Sequence, residues 1–395
     1  MKPVRLAAYT MSSCLGGGLD ETLKALNARQ SGLAPCRFET VRLDTHVGEV
    51  AGIDDIRLAP AMRAFDCRNN RLAELALRHD DFEAAVRDAM SRYGENRIGV
   101  FLGTSTSGIL QTELAYRRRD PATGALPSDF HYATTHNSYS VARYVRERFS
   151  LGGPATVIST ACSSGAKVFA AAARLMSAGV IDAAIVGGVD SLCLTTLYGF
   201  NSLELLSRHP CRPFDATRNG ISIGEAAGFI LLDSMPASSG QIVLAGAGES
   251  SDAHHMSSPH PEGLGARVAI EAALQSAGLR PDQIDYINLH GTATLTNDAA
   301  EDKAVFGIFG DRVPASSTKG ATGHTLGAAG AIEAIICALA LTHGLMPGGG
   351  INSVEADPVL RTRYLIDNLH APLRYALSNS FGFGGTNCAL AFGVA

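Results

Sequence analysis

A chain of 395 residues is long for one simple core, and its 46% hydrophobic composition supplies enough apolar mass for two. Its 33 basic against 38 acidic side chains leave a formal net charge of −5, which argues against a general nucleic-acid binder. Apolar stretches are broken by charges or glycines, so no membrane-spanning helix is expected. Eight cysteines without a C-x-x-C pair or a zinc-spaced His/Cys cluster suit a reduced, cytoplasmic compartment and no metal site.

In chain order, residues 4–10 read as a strand that Gly16-Gly17-Gly18 turns into a helix over 19–28. Lys2 and Arg5 before that apolar run mimic a signal peptide, but Thr10, Ser12 and Ser13 break it. Residues 35–60 keep no period and read as loop with short strands. Helices are predicted over 70–77 and 81–93. A strand over 97–102 then ends in the small polar crest Gly103-Thr104-Ser105-Thr106-Ser107-Gly108. A charged helix follows, carrying Arg117-Arg118-Arg119, which reads as a solvated face or a subunit contact. A turn-rich segment and a helix over 138–149 lead to the most informative stretch of the chain.

That stretch is Pro154-Ala155-Thr156-Val157-Ile158-Ser159-Thr160-Ala161-Cys162-Ser163-Ser164-Gly165. An apolar, β-branched run climbs to one cysteine, small residues turn the chain, and 166–178 reads as a helix. Cys162 therefore sits at a helix start, where unpaired N–H groups and the helix dipole favour a thiolate. It is the best candidate nucleophile in the sequence. Gly179 suits a helix C-terminus, and a buried strand over 181–186 ends in Gly187-Gly188. The loop from Arg212 to Gly228 feeds a strand over 229–233. Proline, serine and glycine over 235–240 mark a boundary between two halves, 1–240 and 241–395. The second half repeats the logic: strand 242–247, helix 264–277 with Gly278 beyond it, strand 284–289. Over 327–343, Ile332, Ile335, Ile336 and Leu339 form the stripe of a buried helix. Strands over 375–380 and 387–392 flank a glycine-rich turn. Alternating strands and helices argue for an α/β protein with helix-covered sheets.

Three more stretches place a reactive or donor group among small residues. They are Leu289-His290-Gly291-Thr292-Ala293-Thr294, Ser317-Thr318-Lys319-Gly320-Ala321-Thr322-Gly323-His324, and Asn379-Ser380-Phe381-Gly382-Phe383-Gly384-Gly385. Alone each is weak. Together with Thr160-Ala161-Cys162-Ser163-Ser164-Gly165 and Arg212-Pro213-Phe214-Asp215, in this order, they resemble the β-ketoacyl-acyl-carrier-protein synthases of the Cys-His-His type. The resemblance implies the thiolase fold, a five-layer α-β-α-β-α sandwich of two duplicated α/β halves with the active site between them.

It further implies a decarboxylating Claisen condensation, with Cys162 as nucleophile and His290 and His324 as hydrogen-bond donors to the developing enolate. The backbone N–H groups of Cys162 and Phe383 match the oxyanion hole, and Phe383 an aromatic gate. Lys319 matches a lysine that pairs with an acid, and Glu301 occupies that partner's place. Thr292 and Thr294 match contacts to the phosphopantetheine arm; Phe381 joins them as a substrate contact, and Thr106 falls where the acyl tunnel is lined. Arg63, Arg68 and Arg208 match docking charges for an acidic carrier protein. The arm arrives on the acyl carrier protein, so no cofactor belongs to the chain. A homodimer or a heterodimer with a chain-length-factor-like subunit is expected. Leu295-Thr296-Asn297-Asp298 and Arg218-Asn219-Gly220 depart from the common pattern and bear on substrate preference. The crest at 103–108, with Arg117-Arg118-Arg119-Asp120 and Asp129-Phe130-His131-Tyr132, is similar to aryl-polyene type ketosynthases rather than to housekeeping fatty-acid enzymes. Two other readings are a non-catalytic chain-length factor and a coenzyme A-dependent thiolase. An intact Cys162 speaks against the first, and the two-histidine pattern with the Lys319 motif against the second.

Overall fold

The computed structural model describes residues 1–395. Its main sheet has eleven strands. Ten form one path: β1 (Val4–Ser13), β2 (Ile98–Gly103), β3 (Ala155–Ile158), β4 (Ala183–Asp190), β5 (Ala226–Asp233), β6 (Ile242–Ser251), β7 (Tyr286–Asn288), β8 (Ala315–Ser316), β9 (Tyr375–Gly382) and β10 (Thr386–Val394). Their spatial order is β8-β7-β9-β10-β6-β1-β5-β4-β2-β3. The remaining strand, Gly16–Gly17, pairs with the end of β1.

The path is a duplication. β1 and β6 touch only through Val4 opposite Leu244 and Arg5 opposite Val243, so two five-stranded sheets meet at a short seam. Within each sheet the five strands, counted along the chain, lie in the order 3-2-4-5-1. The parallel pairs also correspond: β2 with β3 and β4 in the first sheet, β7 with β8 and β9 in the second. Helices Arg68–Leu77, Phe82–Tyr93 and Ser140–Arg148 cover the outer face of the first sheet. Helices Leu264–Ala277 and Leu295–Phe309 cover the second. Ser164–Ser177 and Ala329–His343 fill the space between the sheets, giving the five layers expected.

The middle layer explains the small residues around the motifs. A Cβ on Gly165 would stand 2.7 Å from the Gly327 carbonyl, and one on Gly330 would stand 2.6 Å from the Ala166 nitrogen. The two central helices therefore approach backbone to backbone. Leu326–His343 is apolar and long enough to cross a membrane, but 89% of it is buried inside the protein, where both faces of a middle-layer helix must be apolar.

Helix Leu264–Ala277 has the predicted bounds, and Gly278 follows it at φ +68°. Other elements differ. β4 runs on through Gly187 and Gly188 to Asp190, and β5 begins at Ala226 rather than Phe229. Glycine and alanine look like turn residues, yet here they let the middle layer lie on the sheet: a Cβ on Gly188 would meet the Ala328 Cα at 2.8 Å. Two longer helices escape sequence reading, Leu194–Ser202 and Leu295–Phe309. The second carries apolar residues on several sides and so shows no single stripe; its signal is Thr294, whose hydroxyl accepts the Asn297 N–H.

Candidate active site

β3 stops at Ile158, and helix Ser164–Ser177 starts two residues after the nucleophile candidate. Between them Ala161 takes φ +53°, a strained conformation for a residue with a Cβ. Hydroxyls hold the turn: the Thr160 N–H donates to Ser164 Oγ at 2.8 Å, and Ser163 Oγ donates to the Thr160 carbonyl at 2.9 Å. Cys162 is 6% exposed. Burial pushes its thiol up to about 11, against the pull of the Phe383 N–H, the Lys319 charge and its own N–H. The expected thiolate-favouring helix start is thus outweighed by desolvation. The N–H groups of Phe383 and Cys162 are the two that the resemblance assigns to the oxyanion hole.

His290 follows β7, and His324 sits in the turn between the short helix Lys319–Thr322 and Leu326. The turn brings His324 Nε2 to 3.1 Å from Cys162 Sγ. The imidazoles stand edge to face with centroids 5.3 Å apart, and a nitrogen of each with the sulfur lie within 4.8 Å of one another. Both histidines are held well below the ordinary imidazole pKa, first by burial and then by the Lys319 charge. Both rings are therefore neutral, and their partners select the tautomer. The Leu326 N–H donates to His324 Nδ1 at 3.2 Å, and Lys319 Nζ stands 3.3 Å from His290 Nδ1. With Nδ1 accepting in each ring, the hydrogen resides on Nε2 and faces the cleft.

A cysteine and two histidines this close form a soft donor set, yet a metal-bound imidazole carries its hydrogen on the other nitrogen and needs an acceptor there. Here both Nδ1 atoms face donors. The surroundings suit two hydrogen-bond donors better than two ligands.

Lys319 is buried beside His290, where Nζ donates to the His290 carbonyl and to the carboxylate of Glu333. The expectation that Glu301 is its partner is therefore corrected. Glu301 instead accepts the N–H groups of His290 (2.8 Å) and Gly291 (2.7 Å) and the Asn379 amide, fixing the backbone that carries His290. Glu333 had a signal in the sequence: it is the one acid in an otherwise apolar helix, and such a charge needs a buried partner. Burial raises its carboxyl to about 7. Replacing Lys319 by Met should cost about 3–5 kcal/mol at pH 8, because it strands a buried carboxylate. The loss should shrink at pH 6, where the raised carboxyl takes up a proton, and Lys319→Met/Glu333→Gln should recover most of it. Urea unfolding at the two pH values measures all three.

A cleft leads to this cluster, and Thr292, Thr294 and Phe381 all line it. The two threonine hydroxyls lie 2.9 Å apart. Phe383 lines both this cleft and a second cavity on the far side of Cys162, as a gate would. Gly384 and Gly385 follow it at φ +78° and +71°, which glycine alone adopts at no steric cost. The second cavity is lined by Ser105, Phe200 and Leu326, not by Thr106. Thr106 is turned away, donating through its hydroxyl to Asp190 at 2.9 Å, so its expected tunnel-lining role is corrected in favour of its neighbour. Arg68 is also corrected: it is 5% exposed, and its guanidinium binds Glu225 at 2.6 Å, which leaves nothing for docking. Arg63 and Arg208 are exposed, outside the cleft lining. The Arg117-Arg118-Arg119 run is exposed as well.

Comparison with known proteins gives the family. The model of the β-ketoacyl synthase N-terminal domain matches residues 3–237, and that of the C-terminal domain matches 242–349. The chain is 32% identical to 3-oxoacyl-[acyl-carrier-protein] synthase 2 of Vibrio cholerae, over 97% of this chain and 96% of the relative. It is 39% identical to the mitochondrial 3-oxoacyl-[acyl-carrier-protein] synthase of Arabidopsis thaliana, over 63% of this chain and 58% of that one. Among solved structures it is similar to the ketosynthase ApeO of Xenorhabdus doucetiae, determined in complex with its chain length factor ApeC. That likeness has 38% identity and a TM-score of 0.90, and covers 100% of this chain and 98% of the other.

Proposed function

This chain belongs to the β-ketoacyl synthase family of acyl-transferring condensing enzymes, and on that premise we propose how its residues divide the work. The N-terminal half, 1–240, supplies the nucleophile, and the C-terminal half, 241–395, supplies the two imidazoles. Cys162 Sγ attacks the carbonyl carbon of an acyl-carrier thioester, the C–S bond to the carrier breaks, the cysteine proton passes to the departing carrier sulfur, and the acyl chain stays on the enzyme as a thioester. Malonyl carrier protein then enters the cleft, its phosphopantetheine arm running past Thr292 and Thr294. Loss of CO2 leaves the carbon–carbon bond's electron pair as an enolate, and the Nε2–H groups of His290 and His324 stabilise its oxygen. The enolate carbon attacks the acyl-enzyme, a carbon–carbon bond forms, and the Cys162 thiolate departs from a 3-oxoacyl carrier thioester. The observation that carries this reading is the His324 Nε2 to Cys162 Sγ distance of 3.1 Å, together with donors on both Nδ1 atoms.

No cofactor of the chain's own enters this scheme, since the arm travels on the substrate. Lys319 with Glu333 holds the positive charge beside His290, and Glu301 fixes the His290 backbone. Phe383 swings as the gate, and Arg63 and Arg208 are the remaining candidates for carrier docking. We assign the aryl-polyene type of pathway in the cytoplasm, with a chain-length-factor-like partner in a heterodimer. The likeness to ApeO at 38% identity supports that assignment. The test is incubation with malonyl and short acyl carrier proteins, alone and with a cysteine-less partner, followed by intact mass. A 3-oxoacyl carrier product formed only with the partner supports the whole assignment. Product formed by the chain alone supports a homodimer, and no acyl adduct under any condition overturns the reading.

A further inference from the structure

We propose that Asp190, a buried side chain at the end of β4, is a positioning residue that holds His324 in its donor geometry from across the boundary between the two halves. The proposal rests on the condensing reaction described above. Asp190 is 0% exposed and has no cation within ion-pair distance. A buried carboxylate without a counter-charge must be satisfied by hydrogen bonds. Its Oδ1 accepts the Thr104 hydroxyl at 2.7 Å, the Ser105 N–H at 2.8 Å, and the Thr106 N–H and hydroxyl at 2.9 Å each. Its Oδ2 shares the Ser105 N–H at 3.0 Å and accepts the Gly327 N–H at 2.5 Å. That last bond alone reaches into the second half of the chain.

Gly327 completes the turn that begins at His324. Leu326, between them, is held at φ +53°, an uncommon conformation for a leucine. Such a conformation persists only where its surroundings enforce it. Asp190 grips the turn at the Gly327 N–H, and the Leu326 N–H one residue earlier donates to His324 Nδ1 at 3.2 Å. If the Asp190 arm is cut, the turn relaxes and the Leu326 N–H leaves Nδ1. The imidazole can then take the tautomer whose Nε2 has no hydrogen to offer an enolate. The packing is tight from the other side as well. A Cβ on Gly327 would stand 2.8 Å from both Asp190 Oδ2 and Ser105 Oγ. Ser105 and Leu326, the residues either side of this clamp, both line the cavity beyond Cys162, so the carboxylate also sets the wall nearest the acyl chain.

Asp190→Asn tests the arm selectively. The amide oxygen can keep the donors at Oδ1, while its NH2 faces the Gly327 N–H and cannot accept from it. Gly327→Ala disturbs the same contact from the opposite side. Each variant is assayed for two half-reactions: acylation of Cys162 by acyl carrier protein, followed by intact mass, and decarboxylation of malonyl carrier protein, with kcat and KM measured separately. We expect decarboxylation kcat to fall by about tenfold or more, the scale of a misplaced catalytic group, with KM changed by less than about threefold and acylation falling by a clearly smaller factor, since His324 also touches the sulfur. Asp233→Asn, at another buried carboxylate with several partners, controls for general destabilisation and should not split the half-reactions. Should Asp190→Asn fail to fold, Gly327→Ala carries the same comparison. Unchanged decarboxylation in a folded variant, or decarboxylation and acylation falling by the same factor, overturns the assignment. A wild-type protein that neither acylates nor decarboxylates overturns the condensing-enzyme reading instead.

Discussion

Cys162→Ala should abolish condensation, lowering 3-oxoacyl product by at least about 10³-fold, while decarboxylation of malonyl carrier protein survives. No other cysteine can accept the acyl chain, because the remaining seven all lie outside the cleft lining. The hydroxyls of Thr292 and Thr294 do line it, but they hydrogen-bond to one another and no base activates either. Intact mass should therefore show no acyl adduct on the variant. Decarboxylation needs only a place for negative charge on the malonyl thioester oxygen, and the two Nε2–H donors remain. It should stay within about tenfold of wild type, since donors of this kind carry about 10²–10³ of rate each. Equal loss of both reactions would remove the division of labour proposed here. An adduct surviving in the variant would place the nucleophile elsewhere. Because burial raises the wild-type thiol to about 11, alkylation of Cys162 by iodoacetamide should also be slow at pH 7 and climb steeply as pH rises toward that value.

His290→Ala and His324→Ala form the second prediction, with the opposite signature. Each should cut decarboxylation by about 10²–10³-fold, the cost of one preorganised donor at a developing oxyanion. Acylation of Cys162 should change little in His290→Ala. It should fall further in His324→Ala, since the His324 Nε2 stands 3.1 Å from the sulfur. The double variant should lose less than the product of the single losses, because the two donors serve one oxygen. The pH dependence has a definite sign. Both folded-state pKa values lie well below 6.5, so imidazolium forms only in more acidic solution. The decarboxylation rate should therefore show no acid limb near pH 6.5. A limb there that vanishes in either variant would mean that a charged histidine does the work.

Much of this site was legible in the residues. An apolar strand climbing to Ala161-Cys162-Ser163, histidines at loop ends, and glycines around Phe383 are local patterns. Each has a short-range cause: a tight turn, a helix start, a φ that glycine tolerates. The helix Leu264–Ala277 and the order of elements in both halves were legible for the same reason, since hydrophobic period and terminal glycines act over a few residues. Element order also implied two similar halves, and the repeated 3-2-4-5-1 strand order gives that resemblance a definite form.

What the residues alone could not decide was which groups meet and how dry their meeting is. Lys319 had two acids to choose from, and only the packing of helix Ala329–His343 against the His290 strand end brings it to Glu333 rather than Glu301. Thr106 and Ser105 are adjacent and chemically alike, and the placement of Asp190 decides which faces the cavity. Arg68 reads as a surface charge until Glu225, 157 positions away, closes over it. Cys162 has the helix start that favours a thiolate, yet burial outweighs it. The sequence by itself thus singled out Cys162, His290 and His324 as candidates and determined the α/β architecture, because turn chemistry and hydrophobic period are local and the motifs stand in a family order. Only the tertiary structure decided charge partners, tautomers and the state of the thiol, because desolvation and hydrogen-bond partners are set by segments that meet across the two sheets.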